Sequence, residues 1–331
     1  MPSTKHLPRS PVYARLTYID EGKVAGATDG KNWTISVLSQ GLADATSTRF
    51  FRPSAELAPY ISSYYLIEFA LDPGDTVTDW LHPEWANIRF SESDHWQIGD
   101  GGQFLALPPI VGTGATSHTI PFRVDGPTRI WGVGILPRGW LRLMDDPANT
   151  LANTTIACTA RSPYAAFAQL REATFSETPD AATEAQRIDH FLLNLLATRA
   201  PHEEELRISA IHKSLFDSEI NSVADLAEKL GMSARSLERI SLRAFGFPPK
   251  LLLRRQRFLR SLSEYLLDTS QAWIKTLDEH YVDQAHFVRD FKQFMGMSPS
   301  CYAALPHPVL GSATKARAIA AGAPVQALHR P

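Results

Sequence analysis

The chain has 331 residues, of which 44% are hydrophobic and 21% charged, a balance typical of folded globular domains and not of disorder. No apolar run is long enough to span a bilayer, the basic start after Met1 leads into no apolar signal core, and Cys158 and Cys301 lie far apart in the chain. Membrane spans, a secretory leader, a disulfide framework and a cysteine zinc site are therefore not expected, and a reducing cytoplasm is the expected location.

Residues 1–49 mix Gly, Ser, Thr and Asp with short apolar stretches such as Trp33 to Leu38, and yield no assignment. Over 50–160 the pattern becomes a series of short apolar runs, among them YISSYYLIEFAL, ANIRF, TIPFRV and RIWGVGIL, separated by DPGD, SESD, GDGG and DGP. Those separators are turn chemistry, so this stretch reads as a strand-rich sandwich or small barrel. Ser54 to Tyr64 could instead open it with a helix. Tyr64, Trp80, Trp85, Trp96 and Trp131 are candidates to line an aromatic pocket for a small-molecule effector. The competing reading is that they form the ordinary core of the barrel. His82, His95 and His118, with Glu84 or Asp100, are the candidate metal ligands, but no His-x-His or His-Glu-x-x-His spacing occurs. No catalytic residue, metal or cofactor is assigned. Gly99 to Gly102 and Gly132 to Gly134 lack the lysine of a phosphate loop and read as turns and strand packing.

Residues 161–205 turn helical, with Ile188, Phe191, Leu192, Leu195 and Leu196 on one stripe. This connector either packs on its own domain or supplies the dimerisation helix of a homodimer. The polar, helix-breaking stretch from Ala200 to Glu205 marks a boundary before a domain over 206–306, and the Ala-, Gly- and Pro-rich residues 307–331 read as a disordered tail.

The formal net charge of −2 argues against a nucleic-acid binder only as an average. Between Met232 and Arg260 eight bases face a single acid, Glu238, too one-sided for a salt-bridged helix face. Just before and within this stretch, NSVADLAEKLG places Val223, Leu226, Ala227 and Leu230 on one helical face and ends on Gly231; Ser233 then caps a second helix, ARSLERISLRAF. A short helix, a tight turn and a second helix presenting Arg and polar side chains is the outline of a major-groove reader. A shift of fifty residues superimposes Ser233 on Asp283, Leu237 on Phe287, Arg239 on Arg289, Gly246 on Gly296 and Pro249 on Pro299, an internal repeat of the hairpin. Pro249 to Leu267 reads as one helix joining the copies, about 28 Å long at 1.5 Å per residue.

The run GMSARSLERISLRAFGFPPKLLLRRQRFLRS, followed by YVDQAHFVRDFKQFMGMSPSCY, resembles the DNA-binding domain of the AraC/XylS family of bacterial transcription regulators. The resemblance implies an α+β protein: an N-terminal strand-rich small β-barrel (cupin-like) domain with helices, and a C-terminal all-α domain of two helix-turn-helix units joined by a long helix. It implies double-stranded DNA as partner, and RNA polymerase as well if the protein activates. By position, Arg235, Ser236, Glu238 and Arg239 of the first unit and Gln284, Ala285, His286 and Arg289 of the second would face bases, with Arg239 the leading reader. Arg243, Lys250, Arg254, Arg255 and Lys292 would meet phosphates. Three departures stand out. His280 replaces a glycine at the turn of the second unit, Ser241 replaces an aromatic core residue, and Ser261 to Ser298 carries three bases against six acids. The first unit is therefore expected to supply most of the affinity. Two rival readings stay open: a metal-dependent barrel enzyme with a DNA-binding appendage, and an interaction protein whose helix-turn-helix region has decayed.

Overall fold

The computed structural model describes residues 45–329 apart from 101 and 271; the unassigned segment 1–49 thus lies almost wholly outside the described residues. Ten strands form two antiparallel sheets among the described residues. The larger contains β1 (Thr46–Phe51), β2 (Ile61–Phe69), β4 (Ala86–Ser91), β7 (Ile110–Thr113), β9 (Thr128–Ile135) and β10 (Thr155–Ala157), in the order β1-β2-β9-β4-β7-β10. The smaller contains β3 (Val77–Leu81), β5 (Trp96–Asp100), β6 (Gln103–Ala106) and β8 (Ile120–Val124), in the order β3-β8-β5-β6.

The α+β expectation holds, and in place of the expected small barrel the described residues form two unclosed antiparallel sheets. Short strands with tight turns suit either architecture, and the difference lies in how the edge is protected. A barrel removes its edges by pairing them. Here β1 keeps an edge and is covered by a helix from the far end of the chain. That helix, Leu310–Ala321, also corrects the expectation of a disordered tail. Asp79 of β3 is fully buried and accepts from the backbone N–H groups of Val309 and Leu310 at 2.9 and 2.8 Å, filling the role of an N-terminal cap from a remote strand. Beyond the helix, Gln326 is buried against the sheet, donating to the Ala86 carbonyl and accepting from Asn87.

The helices in chain order are α1 (Pro137–Leu143), α2 (Ala148–Leu151), α3 (Leu170–Thr174), α4 (Ala181–Ala197), α5 (Glu205–Ser214), α6 (Val223–Lys229), α7 (Ala234–Phe245), α8 (Pro249–Leu267), α9 (Gln284–Met295), α10 (Pro299–Ala303) and α11 (Leu310–Ala321). Strand alternation divides the sheet residues between cores. Tyr64, Leu66, Ile88, Phe90, Trp131 and Val133 face one way and pack with Trp140 and with Ile188 and Leu192 of α4. Ile67, Phe69 and Ile130 face the smaller sheet, meeting Val77, Trp96, Phe122 and Val124. A third core builds the helical region and takes in Trp85, Ala115 and Leu136 from the strand-rich part. No helix among the described residues is long and apolar enough to cross a membrane.

Those three cores dispose of the shared aromatic pocket. Tyr64 and Trp131 belong to one core, Trp96 to the second and Trp85 to the third, all buried, while Trp80 is half-buried with its ring edge toward His307. Large rings at inward strand positions are consumed by packing.

Candidate nucleic-acid interface

The first hairpin is built by local rules. Ser222 caps α6 reciprocally with Asp225, satisfying donors that the first turn leaves free. Gly231 turns the chain at φ +59°, a left-handed conformation that glycine adopts without penalty. Ser233 then caps α7, its hydroxyl accepting from the Ser236 amide at 3.2 Å. Leu237, Ile240, Ala244 and Phe245 are buried, which leaves Arg235, Glu238, Arg239 and Arg243 exposed and Ser236 half-buried.

The second unit repeats the design at α9. Asp283 caps it, accepting from the His286 amide at 2.6 Å, and Gly246 and Gly296 end α7 and α9 with φ of +82° and +68°. Gln284, Ala285, Arg289 and Lys292 are exposed and His286 is half-buried. What precedes α9 differs: the helix expected there is a single 3-10 turn, Trp273–Lys275. Trp273 stacks on Tyr265 at 3.7 Å and meets Phe291 edge-on at 5.0 Å, so ring packing holds the segment. His280 carries no left-handed strain; positive φ outside glycine is confined, among the described residues, to Asn153 and His307. The His280 ring and amide instead close a local turn on the Asp278 carboxylate, at 2.9 and 3.1 Å. Ser241 is fully buried with its hydroxyl lacking a hydrogen-bond partner.

Between the units, α8 buries Leu252, Phe258, Leu259 and Leu262. The phosphate-contacting set divides on it. Lys250 is exposed. Arg254 is half-buried and donates to Asp290 and Gln293 at 2.5 and 2.8 Å. Arg255 is fully buried, its guanidinium 3.9 Å from the centre of the Trp85 ring, and cannot meet a phosphate on the surface. It lies on the opposite face of α8 from the cleft that separates the units. That cleft, of about 620 Å³, is lined by Asn221 and Ser222 at the start of α6, by Lys250, Arg254 and Arg257 of α8, and by His286, Arg289 and Asp290 of α9 among others.

One acidic side chain absent from the sequence expectations touches this surface. Glu204, just before α5, accepts from Arg239 at 2.5 Å and lies 3.5 Å from Arg243. The Arg239 hydrogen bond keeps its carboxyl below the usual range, against the opposing effect of burial. Its neighbour Glu205 is gripped by Arg138 and Arg142 of α1 at 2.8 and 2.7 Å. Burial opposes ionisation there, yet those bonds, with a backbone bond at His202, lower it to about 2. The pair therefore fastens the helical region to the strand-rich one. A run of three glutamates carries no sign of which arginine, some 35 residues on, it will meet.

The histidines do not converge. His82 is hydrogen-bonded to the Tyr302 hydroxyl at 2.7 Å, and His95 contacts Asp125 at 3.2 Å. Among the described residues no three His, Cys, Asp or Glu side chains come together as a metal-ligand group.

Residues 226–304 match the family described as a helix-turn-helix domain. No curated protein matches the sequence. Among solved structures, ToxT from Vibrio cholerae is similar at 14% identity, with 78% of this chain and 98% of that one covered and a TM-score of 0.39. The AraC-like transcriptional activator CuxR is similar at 14% identity over 67% of this chain and 89% of that one, with a TM-score of 0.23. The matched domain and the two capped helices within it agree: residues 226–304 form an AraC-type helix-turn-helix domain.

Proposed function

We propose that the protein binds specific duplex sites through α7 and α9 and regulates transcription in response to a small-molecule effector, without catalytic activity of its own. The observation that carries the reading is the pair of helices, each capped by Ser233 or Asp283 and ended by a left-handed glycine, with its polar side chains exposed and its apolar side sunk into the core shared with α8. Such a rigid connector suits the presentation of two helices to successive major-groove faces, about 34 Å apart.

In this reading Arg235, Ser236, Glu238 and Arg239 read bases from α7, and Gln284, Ala285, His286 and Arg289 read them from α9. Arg243, Lys250, Arg254 and Lys292 position the backbone, with the strand between the two grooves lying along the cleft. Arg255 drops out because it is buried. The eight bases against one acid between Met232 and Arg260 support the first unit, with its connector, as the main source of affinity. A homodimer, and contact with RNA polymerase if the protein activates, complete the proposal.

The test is selection of bound duplexes from a random library, followed by affinity measurements at two salt concentrations. Arg239→Ala is expected to lose about 1–3 kcal/mol on the selected site and relax one base position, whereas Lys250→Ala weakens all sequences alike and reduces the salt slope. Undetectable or salt-independent binding by the wild type would overturn the reading.

A further inference from the structure

The fifty-residue repeat that superimposes α7 on α9 also shows where the two recognition helices differ. Met232, just before the Ser233 cap, is half-buried and packs against the core of the helical region. Its counterpart Val282, just before the Asp283 cap, is 89% exposed, the most open large hydrophobic side chain among the described residues. Three residues further on, Arg235 of the first unit is matched by Ala285 of the second, and both are exposed. The second unit thus presents two apolar side chains to water where the first has a packed methionine and an exposed arginine.

A single exposed apolar residue is ordinary on a protein surface. The place of Val282 sets it apart. It adjoins the N-terminal end of α9, and that end of a recognition helix is the part that meets base edges. The neighbouring Asp283 carboxylate is turned onto the helix, where it accepts from the His286 amide at 2.6 Å. No lysine or arginine occurs between Lys275 and Arg289, so attraction to phosphates does not hold this end of α9 against a duplex. Contact there falls to the base edges. In the major groove one of these edges is apolar, the 5-methyl group of thymine. A β-branched side chain has few rotamers to lose, so Val282 offers that methyl a fixed surface.

We propose that Val282, assisted by Ala285, recognises the 5-methyl group of one thymine in the part of the duplex site bound by the second unit. The contact shields two apolar groups from water and needs no charge, which suits a unit carrying three bases against six acids from Ser261 to Ser298. Val282 thereby adds selectivity where the electrostatic contribution is small. The inference rests on the DNA-binding function proposed above, and within it names a base that α9 reads.

The experiment uses the full-length protein and the duplex recovered by selection from the random library. Every thymine of that duplex is replaced in turn by uracil, which removes only the methyl, and affinity is read by fluorescence anisotropy. One replacement is expected to weaken wild-type binding about fourfold, the factor for one methyl lost from a water-free contact. In Val282→Ser the same replacement should cost less than about twofold, whereas Val282→Ile, which keeps the apolar branch, should retain the full loss. Val282→Ser should melt with the wild type, because the side chain it alters lies in water. Arg239→Ala, in the first unit, should weaken binding overall and leave the uracil penalty intact. A selected duplex in which no thymine methyl matters, or a penalty undiminished in Val282→Ser, overturns the inference and leaves duplex binding standing. Failure to select any duplex sinks the DNA-binding reading, and this inference with it.

Discussion

Arg239 donates to Glu204 at 2.5 Å, which places the leading candidate for base reading in an ion pair with the segment that enters the helical region. The bond runs through Nη2, so presenting both terminal nitrogens to the two acceptors of a guanine competes with it. The Arg239 side chain is 55% exposed, so the pair is a weak competitor, worth at most about 1 kcal/mol.

Glu204→Gln should therefore strengthen specific duplex binding by up to about fivefold. In a double-mutant cycle the gain should vanish in an Arg239→Ala background, which titrations by fluorescence anisotropy will read directly. An equal gain in both backgrounds would mean that Glu204 acts by general repulsion of phosphates.

Stability should fall with acid below pH 6.5 because two buried histidines resist protonation. Burial, with His307 nearby, pushes His82 down to about 3 although Asp79 opposes it; burial, with His329 and Arg255 nearby, pushes His212 down to about 3. The unfolded chain binds these protons near 6.5 and the folded chain does not, so the stabilisation is complete above 6.5 and is lost progressively as pH falls toward 3. Each contributes a loss of about 2 kcal/mol at about pH 5. Urea titrations across this range should show the slope, and His212→Phe should reduce it. An unchanged slope would remove His212 as its source.

Asp79→Ala removes the acceptor for two backbone N–H groups at the start of α11 and leaves them buried. A loss of about 2 kcal/mol is expected, seen as a lower denaturation midpoint. Proteolysis should then cut near Leu310 first. A variant as stable as the wild type would show that α11 holds its place without the cap.

Ser241→Ala should be neutral or stabilising, by up to about 1 kcal/mol, because the buried hydroxyl makes no hydrogen bond that the change would break. Thermal melting compares the two. A clear destabilisation would reveal an acceptor for the hydroxyl in solution.

Local rules made the interface legible. Ser233, Gly246 and the spacing of Leu237, Ile240 and Ala244 suffice to place α7 and its exposed side, and the fifty-residue echo places α9. What escaped depends on partners remote in sequence. Arg255 sits in a run of bases that reads as one charged stretch, yet its burial follows from Trp85 and from the Thr116 carbonyl, 139 residues away. The alanine-rich stretch over 313–321 lacks a strong apolar stripe, and its order follows from Asp79 some 230 residues earlier. The aromatics of the strand-rich region read either as pocket lining or as ordinary core, and alternation alone does not say which of three cores each one enters.

The covering of β1 by α11 also sets an order of events during synthesis. The edge of the larger sheet emerges from the ribosome early, whereas the helix that shields it follows the whole DNA-binding region. Until then β1 has no partner on its outer side among the described residues, the kind of edge that invites pairing between chains. The strand-rich half is thus finished last, and a nascent chain stalled within the DNA-binding region would expose a sticky strand that the completed protein hides.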